Sequence, residues 1–124
     1  MSANNKSGKL GEIYASKYLA EKGYIILETN FRTPVAEVDI IARDTDGCIC
    51  FIEVKTRKNK AYGCGSDFIF KSKIEKMILG ARIYLSKYSC DAAVRFDIIE
   101  VYGQIGSSGF IVNEINHIKN AFSV

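Results

Sequence analysis

Apolar residues recur at four-residue spacing from Leu10 through Tyr14 to Tyr18, with Ala15 and Leu19 beside them. That pattern predicts an amphipathic helix over residues 10–22, stopped by Gly23. Three strand-like stretches follow: Tyr24 to Glu28 is apolar and β-branched, Glu37 to Ala42 alternates, and Cys48 to Thr56 is long and extended in character. Asp44-Thr45-Asp46-Gly47, between the last two, is turn chemistry and predicts a hairpin. After a segment over 59–67 that reads as a flexible connection, Ile74, Met77, Ile78, Ala81 and Leu85 mark a second helix ending near Ser89. Val94 to Val101 is another extended run, and Gly106-Ser107-Ser108-Gly109 turns the chain toward a short strand at Phe110 to Val112. This order predicts a mixed α/β domain whose helices cover the sheet. The polar residues 1–8 read as a loose lead-in to a single domain over 1–124.

Composition narrows the class. With 48% hydrophobic residues the chain can bury a core without staples. No run is apolar and long enough for a membrane span, and the N-terminus lacks a secretory pattern, so no membrane partner and a cytoplasmic location are expected. Cys48 and Cys50 lie two apart on one predicted strand, with Cys64 and Cys90 scattered, which fits reduced thiols better than disulfides or a zinc site. The net charge of +3 says little, but its distribution says more: Lys55 to Arg82 carries a local +6 and the remainder −3. Such asymmetry fits a surface that meets a polyanion, or more plainly a solvated face beside a turn.

The candidate chemistry sits on the predicted hairpin. Alternation puts Glu37, Asp39 and Ile41 on one face of the first strand, and Ile49, Phe51, Glu53 and Lys55 on one face of the second. Pairing Arg43 with Ile49 sets Asp39 opposite Glu53 and Glu37 opposite Lys55. Carboxylates so placed start only ~5 Å apart and repel unless a cation lies between them. Mg²⁺ suits such a site, since it takes hard oxygen ligands from one or two carboxylates, waters and phosphate. A metal-polarised phosphoryl group, an activated water and a facing ammonium suffice for phosphodiester hydrolysis. The competing reading leaves Glu53 and Lys55 on a solvated strand and Glu37 in a cross-strand ion pair. Against it, Asp39 is flanked by Val38 and Ile40, and Glu53 by Ile52 and Val54, surroundings costly for an unpaired charge.

Asp39, followed fourteen residues on by Glu53-Val54-Lys55, resembles the PD-(D/E)xK signature of restriction-endonuclease-like enzymes, Holliday-junction resolvases among them. The whole chain resembles the uncharacterised bacterial YraN-like family through GKLGEIYASKYLAEKGYIILETNFR at 8–32, EVDIIARD at 37–44, FIEVKTR at 51–57, KIEKMILGARIYL at 73–85, RFDII at 95–99 and HIKNAF at 117–122. The resemblance implies a restriction-endonuclease-like domain, with Asp39, Glu53 and Lys55 matching the catalytic set and Mg²⁺ or Mn²⁺ as cofactor. It adds Glu12, since the first helix of such folds often lends an acid to the metal, although a glutamate in a first helical turn also favours the helix dipole. Ala36 stands where the family has glycine, and Val38 replaces the proline of the wider signature.

Around this set, Arg57, Lys73, Arg32 and Thr56 are candidate nucleic-acid contacts, Arg57 through its place beyond Lys55 on the same face and Lys73 through its match to a family lysine. Arg32 is expected in a loop. Asp97 is expected to pair with Arg95 or cap, His117 to be structural, and Tyr62-Gly63 with Gly65 to form a loop that closes over substrate or simply connects. The expected function is a metal-dependent nuclease acting on nucleic acid, DNA before RNA and structured or branched DNA included, with a homodimer implied by resolvase-like relatives. The alternative is a non-catalytic nucleic-acid-binding or scaffolding module on the same fold.

Overall fold

The computed structural model describes residues 3–58, 71–88 and 91–123, with side chains from Gly8 onward. In chain order it contains α1 (Ala3–Glu21), β1 (Ile25–Thr33), β2 (Ala36–Arg43), β3 (Ile49–Arg57), α2 (Lys71–Lys87), β4 (Val94–Gly106) and β5 (Gly109–Phe122). The segment over 59–67, the Tyr62-Gly63-Gly65 loop and Cys64 and Cys90 lie outside the described residues, as does part of the basic segment.

The first helix begins at Ala3, so the expected lead-in over 1–8 is helical from that residue. Nothing from Ala3 to Lys9 breaks a helix as proline would. The stop is as predicted: Gly23, at φ 91°, lets the Tyr24 N–H return to the Leu19 carbonyl. β1 is longer than predicted because it pairs along its length with β2 around a two-residue turn at Pro34-Val35, which brings Arg32 into a strand opposite Glu37 rather than into a loop. β5 is also longer than the three residues expected. It is an edge strand in which polar residues such as Asn113, Glu114, Asn116 and Lys119 break the hydrophobic alternation that sequence reading relies on.

The five strands form one mixed sheet in the order β1-β2-β3-β4-β5. Only β3 and β4 are parallel, and α2 supplies the crossover that parallel neighbours require. The helices cover opposite faces. On one, Met77, Ala81 and Tyr84 of α2 pack with Val38, Ile41, Ile49, Phe51 and Phe96; on the other, Ala15 and Leu19 of α1 pack with Ile40, Ala42, Cys50, Ile52, Ile99 and Val101. The chain is thus an α/β domain with a mixed sheet flanked by helices. Two glycines set the helix heights: a Cβ on Gly11 would lie 2.1 Å from Thr56 Oγ1, and one on Gly80 2.8 Å from Val38 Cγ2. Among the described residues, no helix is long and apolar enough to cross a membrane.

Candidate functional site

The Asp44 turn builds the hairpin as predicted. Asp44 Oδ1 accepts the N–H groups of Asp46 and Cys48, Gly47 takes φ 90°, and the register runs from Arg43↔Ile49 to Ile40↔Ile52. There the ladder ends. In place of an Asp39↔Glu53 pair, Asp39 Oδ2 accepts the Val54 N–H at 2.9 Å, so a side chain satisfies the backbone donor that β2 has left. β2 continues along β1 and β3 along β4, so the two strands part at Asp39.

The pleat slips at the same point. Val38 and Ile41 both pack on the α2 side while Ile40 packs on the α1 side, so strict alternation does not put Glu37, Asp39 and Ile41 on one face. Asn30 of β1, beside the slip, adopts a left-handed φ of 53°, a local twist of the kind that re-aims a side chain. Glu37 therefore does not meet Lys55. It is held instead by Arg32 of β1 at 2.5 Å, a cross-strand partner that the sequence placed in a loop, and by Lys73 at 2.6 Å.

In the gap lie Asp39 and Glu53, 6% and 7% exposed. Burial pushes the Glu53 carboxyl up to about 8; the Asp39 charge and a hydrogen bond shared with it push the same way, against the opposing charges of Lys73 and Lys55. Its Oε1 is buried with no hydrogen-bond partner, and Lys73 Nζ, 3.4 Å away, is an ion-pair contact rather than a hydrogen bond. Glu12, on α1, feels the charge of Asp39. Burial raises its pKa, the Asp39 charge adds to this, and Arg32, an Asn30 hydrogen bond and Lys9 oppose it. Lys73 keeps its proton firmly: burial works against its charge, but the Glu37 hydrogen bond and the charges of Glu53 and Asp39 outweigh burial.

Lys55, two residues beyond Glu53, is half-buried and registers with Glu100 of β4. Glu100 is itself buried; Asn116 donates to its Oε1, and its Oε2 has no hydrogen-bond partner. The structure thus brings Asp39 and Glu53 together, with Lys55 two residues beyond Glu53; Glu12 is near enough to feel the Asp39 charge, but the three acids do not bring ligand atoms within 4.8 Å of one another. Lys73 joins the carboxylates, and Arg32 is engaged with Glu37. Thr56 lies beneath α1 against Gly11, a covered place explained by the tight helix approach that glycine permits. Arg57 follows on β3, in register with Tyr102. Sequence reading missed Asn30, Glu37 as the anchor of Lys73, and Glu100; the glycine inside the first predicted helix was the available signal for close approach of α1 to β3.

A second polar cluster lies on the α1 side. Asp97, wholly buried, accepts from Arg95 at 2.9 Å, from His117 Nε2 at 2.7 Å and from the Asn120 N–H, while Tyr18 contacts His117 Nδ1 at 3.2 Å. Burial opposes the Asp97 charge, yet these donors hold its pKa below the ordinary value. Asp97 therefore pairs with Arg95, and His117 ties β5 to β4 and α1. Among the described residues, only Asp44, Cys48 and Cys50 bring three potential ligand atoms within 4.8 Å of one another. There Arg95 and two backbone N–H groups occupy the carboxylate, and burial pushes the Cys50 thiol up to about 12. Both described cysteines are free. Asp39 and Glu53, by contrast, offer hard oxygen donors in a shielded gap, a donor set suited to a divalent cation completed by water.

Residues 11–101 match the model of a family described as "Uncharacterised protein family UPF0102". A UPF0102 protein of Trichlorobacter lovleyi is 44% identical over 124 residues, covering 98% of this chain and 93% of its own length. One from Acetivibrio thermocellus is 45% identical over 123 residues, with 96% and 94% covered. A third, from Phocaeicola vulgatus, is 41% identical over 122 residues, with 98% and 96% covered.

Proposed function

The chain belongs to the uncharacterised protein family UPF0102, and we propose that it is a metal-dependent nuclease of the restriction-endonuclease-like PD-(D/E)xK type that hydrolyses phosphodiester bonds, in DNA before RNA. The observation that carries this reading is the parting of β2 and β3 at Asp39. It creates a shielded gap with two carboxylates, one of which keeps a buried oxygen without a hydrogen bond. Such an oxygen is costly in a merely structural carboxylate and useful in a metal ligand.

In this reading Asp39 and Glu53 would hold Mg²⁺ or Mn²⁺, aided by Glu12 of α1. When bound, the metal polarises a phosphoryl oxygen and lowers the pKa of a water. Asp39 is fixed by the Val54 N–H, and it shares a hydrogen bond with Glu53 that the metal would replace. Glu53 must give up its proton to serve as ligand. Lys55, alongside, places an ammonium where negative charge develops as water oxygen bonds to phosphorus and the bond to the leaving alkoxide breaks. Lys58, Lys71 and Lys76, exposed at the end of β3 and the start of α2, supply a basic approach for a polyanion.

The test is cleavage of single-stranded, duplex, flapped and four-way-junction DNA with Mg²⁺, with Mn²⁺ and with chelator. Metal-dependent cleavage by the wild type, lost in both Asp39→Ala and Glu53→Ala, is the expected result. Cleavage that survives both substitutions overturns the assignment, and Mn²⁺-independent DNA binding without cleavage of any substrate supports the non-catalytic module instead.

A further inference from the structure

We propose that Lys73 is a resident counter-cation of the carboxylate gap, and that a divalent metal must displace it from Glu53 to bind. This rests on the metal-centre reading above and adds an occupant that the metal has to evict.

The contact geometry assigns Lys73 this place. Its Nζ lies 3.4 Å from Glu53 Oε1, the carboxylate oxygen that is buried and lacks a hydrogen bond. A metal held at roughly 2.0–2.1 Å from that oxygen would share it with the ammonium, and two cations on one shielded oxygen repel strongly. The oxygen that marks the site as a metal ligand is therefore the one the lysine covers.

The same ammonium has somewhere to go. Its short hydrogen bond, 2.6 Å, is to Glu37 Oε1, while the contact with Glu53 lacks hydrogen-bond alignment. Glu37 is not among the proposed ligands, and its other oxygen is held by Arg32. Lys73 is the third residue of α2, and its side chain is 24% exposed. A flexible four-carbon stem at that position can pivot about Glu37, leave Glu53 and turn its charge toward the solvent side, where a phosphate would arrive. Metal entry and anion contact would then be coupled through one side chain. Nothing in the spacing of Glu37, Glu53 and Lys73 along the chain forecasts this, since α2 brings the lysine in from beyond the end of β3.

The test is Mn²⁺ binding to metal-free protein, followed by calorimetry and by the loss of the free-ion electron paramagnetic resonance signal, with no nucleic acid present. Compared above about pH 8, where Glu53 is ionised, Lys73→Met should bind Mn²⁺ about tenfold more tightly than wild type, because the competing occupant is gone. Glu37→Gln should bind it more weakly than wild type, because Lys73 loses its alternative anchor and leans on Glu53. Opposite shifts in two variants cannot come from a general loosening of the fold. Equal or weaker binding by Lys73→Met, with wild-type binding intact and abolished by Asp39→Ala, overturns the displacement and leaves the metal centre standing. Absence of Mn²⁺ binding in wild type and Lys73→Met alike overturns the metal centre itself, and this proposal with it.

Discussion

Asp39 Oδ2 accepts the main-chain N–H of Val54 at 2.9 Å, the position at which the β2–β3 ladder, last paired at Ile40 and Ile52, would otherwise continue. One hydrogen bond thus does two things. It satisfies a part-buried donor that a parting strand would orphan, and it holds a carboxylate at the gap that the parting creates.

From this follows the first prediction. Asp39→Ala leaves the part-buried Val54 N–H unpaired and should lower unfolding free energy by about 1 kcal/mol in the metal-free protein. Asp39→Asn keeps an acceptor for that N–H and should cost clearly less, while losing Mn²⁺ as fully as the alanine variant does. Urea denaturation of both, beside Mn²⁺ titration, checks the pair; equal destabilisation would remove the structural role assigned to the bond.

The second concerns pH. Burial and the Asp39 charge push the Glu53 carboxyl from its ordinary 4.5 to about 8, so the folded metal-free protein holds a proton there that the unfolded chain releases. The folded state then binds more protons between those values, and stability contributed by this group is present below about 4.5 and lost as pH rises toward 8. Metal binding must expel the same proton. Mn²⁺ affinity should therefore rise with pH by up to about tenfold per pH unit and level off near 8. Calorimetry in buffers of different ionisation enthalpy should register the released proton, and Glu53→Gln should abolish both binding and release.

How much of this was legible beforehand depends on how local its cause is. The Asp44-Thr45-Asp46-Gly47 turn sets the hairpin register, and from it the pairing of Arg43 with Ile49 and the nearness of Asp39 to Glu53 could be read. The gap between them could not, because it depends on β1, where Asn30 takes φ 53° beside a slip in the pleat of β2. Glu37 was set against Lys55 by extending a ladder that in fact ends at Ile40. The contact of Lys73 with Glu37 and Glu53 could not be read, because the α2 crossover that delivers it is a tertiary fact without a local signature. Gly11 was visible as a glycine inside a helix, but its partner Thr56 was not.

That last contact yields a third prediction. A Cβ on Gly11 would sit 2.1 Å from Thr56 Oγ1, so Gly11→Ala should push α1 off β3, cost about 1–3 kcal/mol, and carry Glu12 away from the gap. Adding Thr56→Ala should restore most of the loss. A double-mutant cycle on thermal stability measures the coupling, and additive effects would show that the helix height is set elsewhere.

A fourth separates chemistry from binding. Lys55 stands beside the carboxylates without being an oxygen donor, so its charge serves the reacting phosphate more than the metal. Lys55→Ala should leave Mn²⁺ affinity and DNA affinity within a few-fold of wild type and lower the single-turnover cleavage rate by about two orders of magnitude or more. A rate within a few-fold of wild type on a substrate the wild type cuts would remove Lys55 from the mechanism.

The final prediction concerns the approach of the polyanion. Lys58, Lys71 and Lys76 are exposed where β3 ends and α2 begins, the end of the molecule at which Lys73 meets the carboxylates. If DNA arrives there, each phosphate they neutralise releases condensed counterions, and log affinity should fall with log salt by roughly 0.9 per contact. Changing Lys71 and Lys76 together to alanine should flatten that slope by about two contacts and weaken binding to all sequences alike, since phosphate contacts position without reading bases. Lys17 and Lys119 are also exposed but lie on α1 and β5, and so serve as controls of equal charge. A slope flattened as much by the control pair as by the test pair would move the nucleic-acid face away from the carboxylate gap. Because the Asp39–Glu53 reading requires the scissile phosphate to reach that gap, this result would count against the enzyme and not merely against the map of its surface.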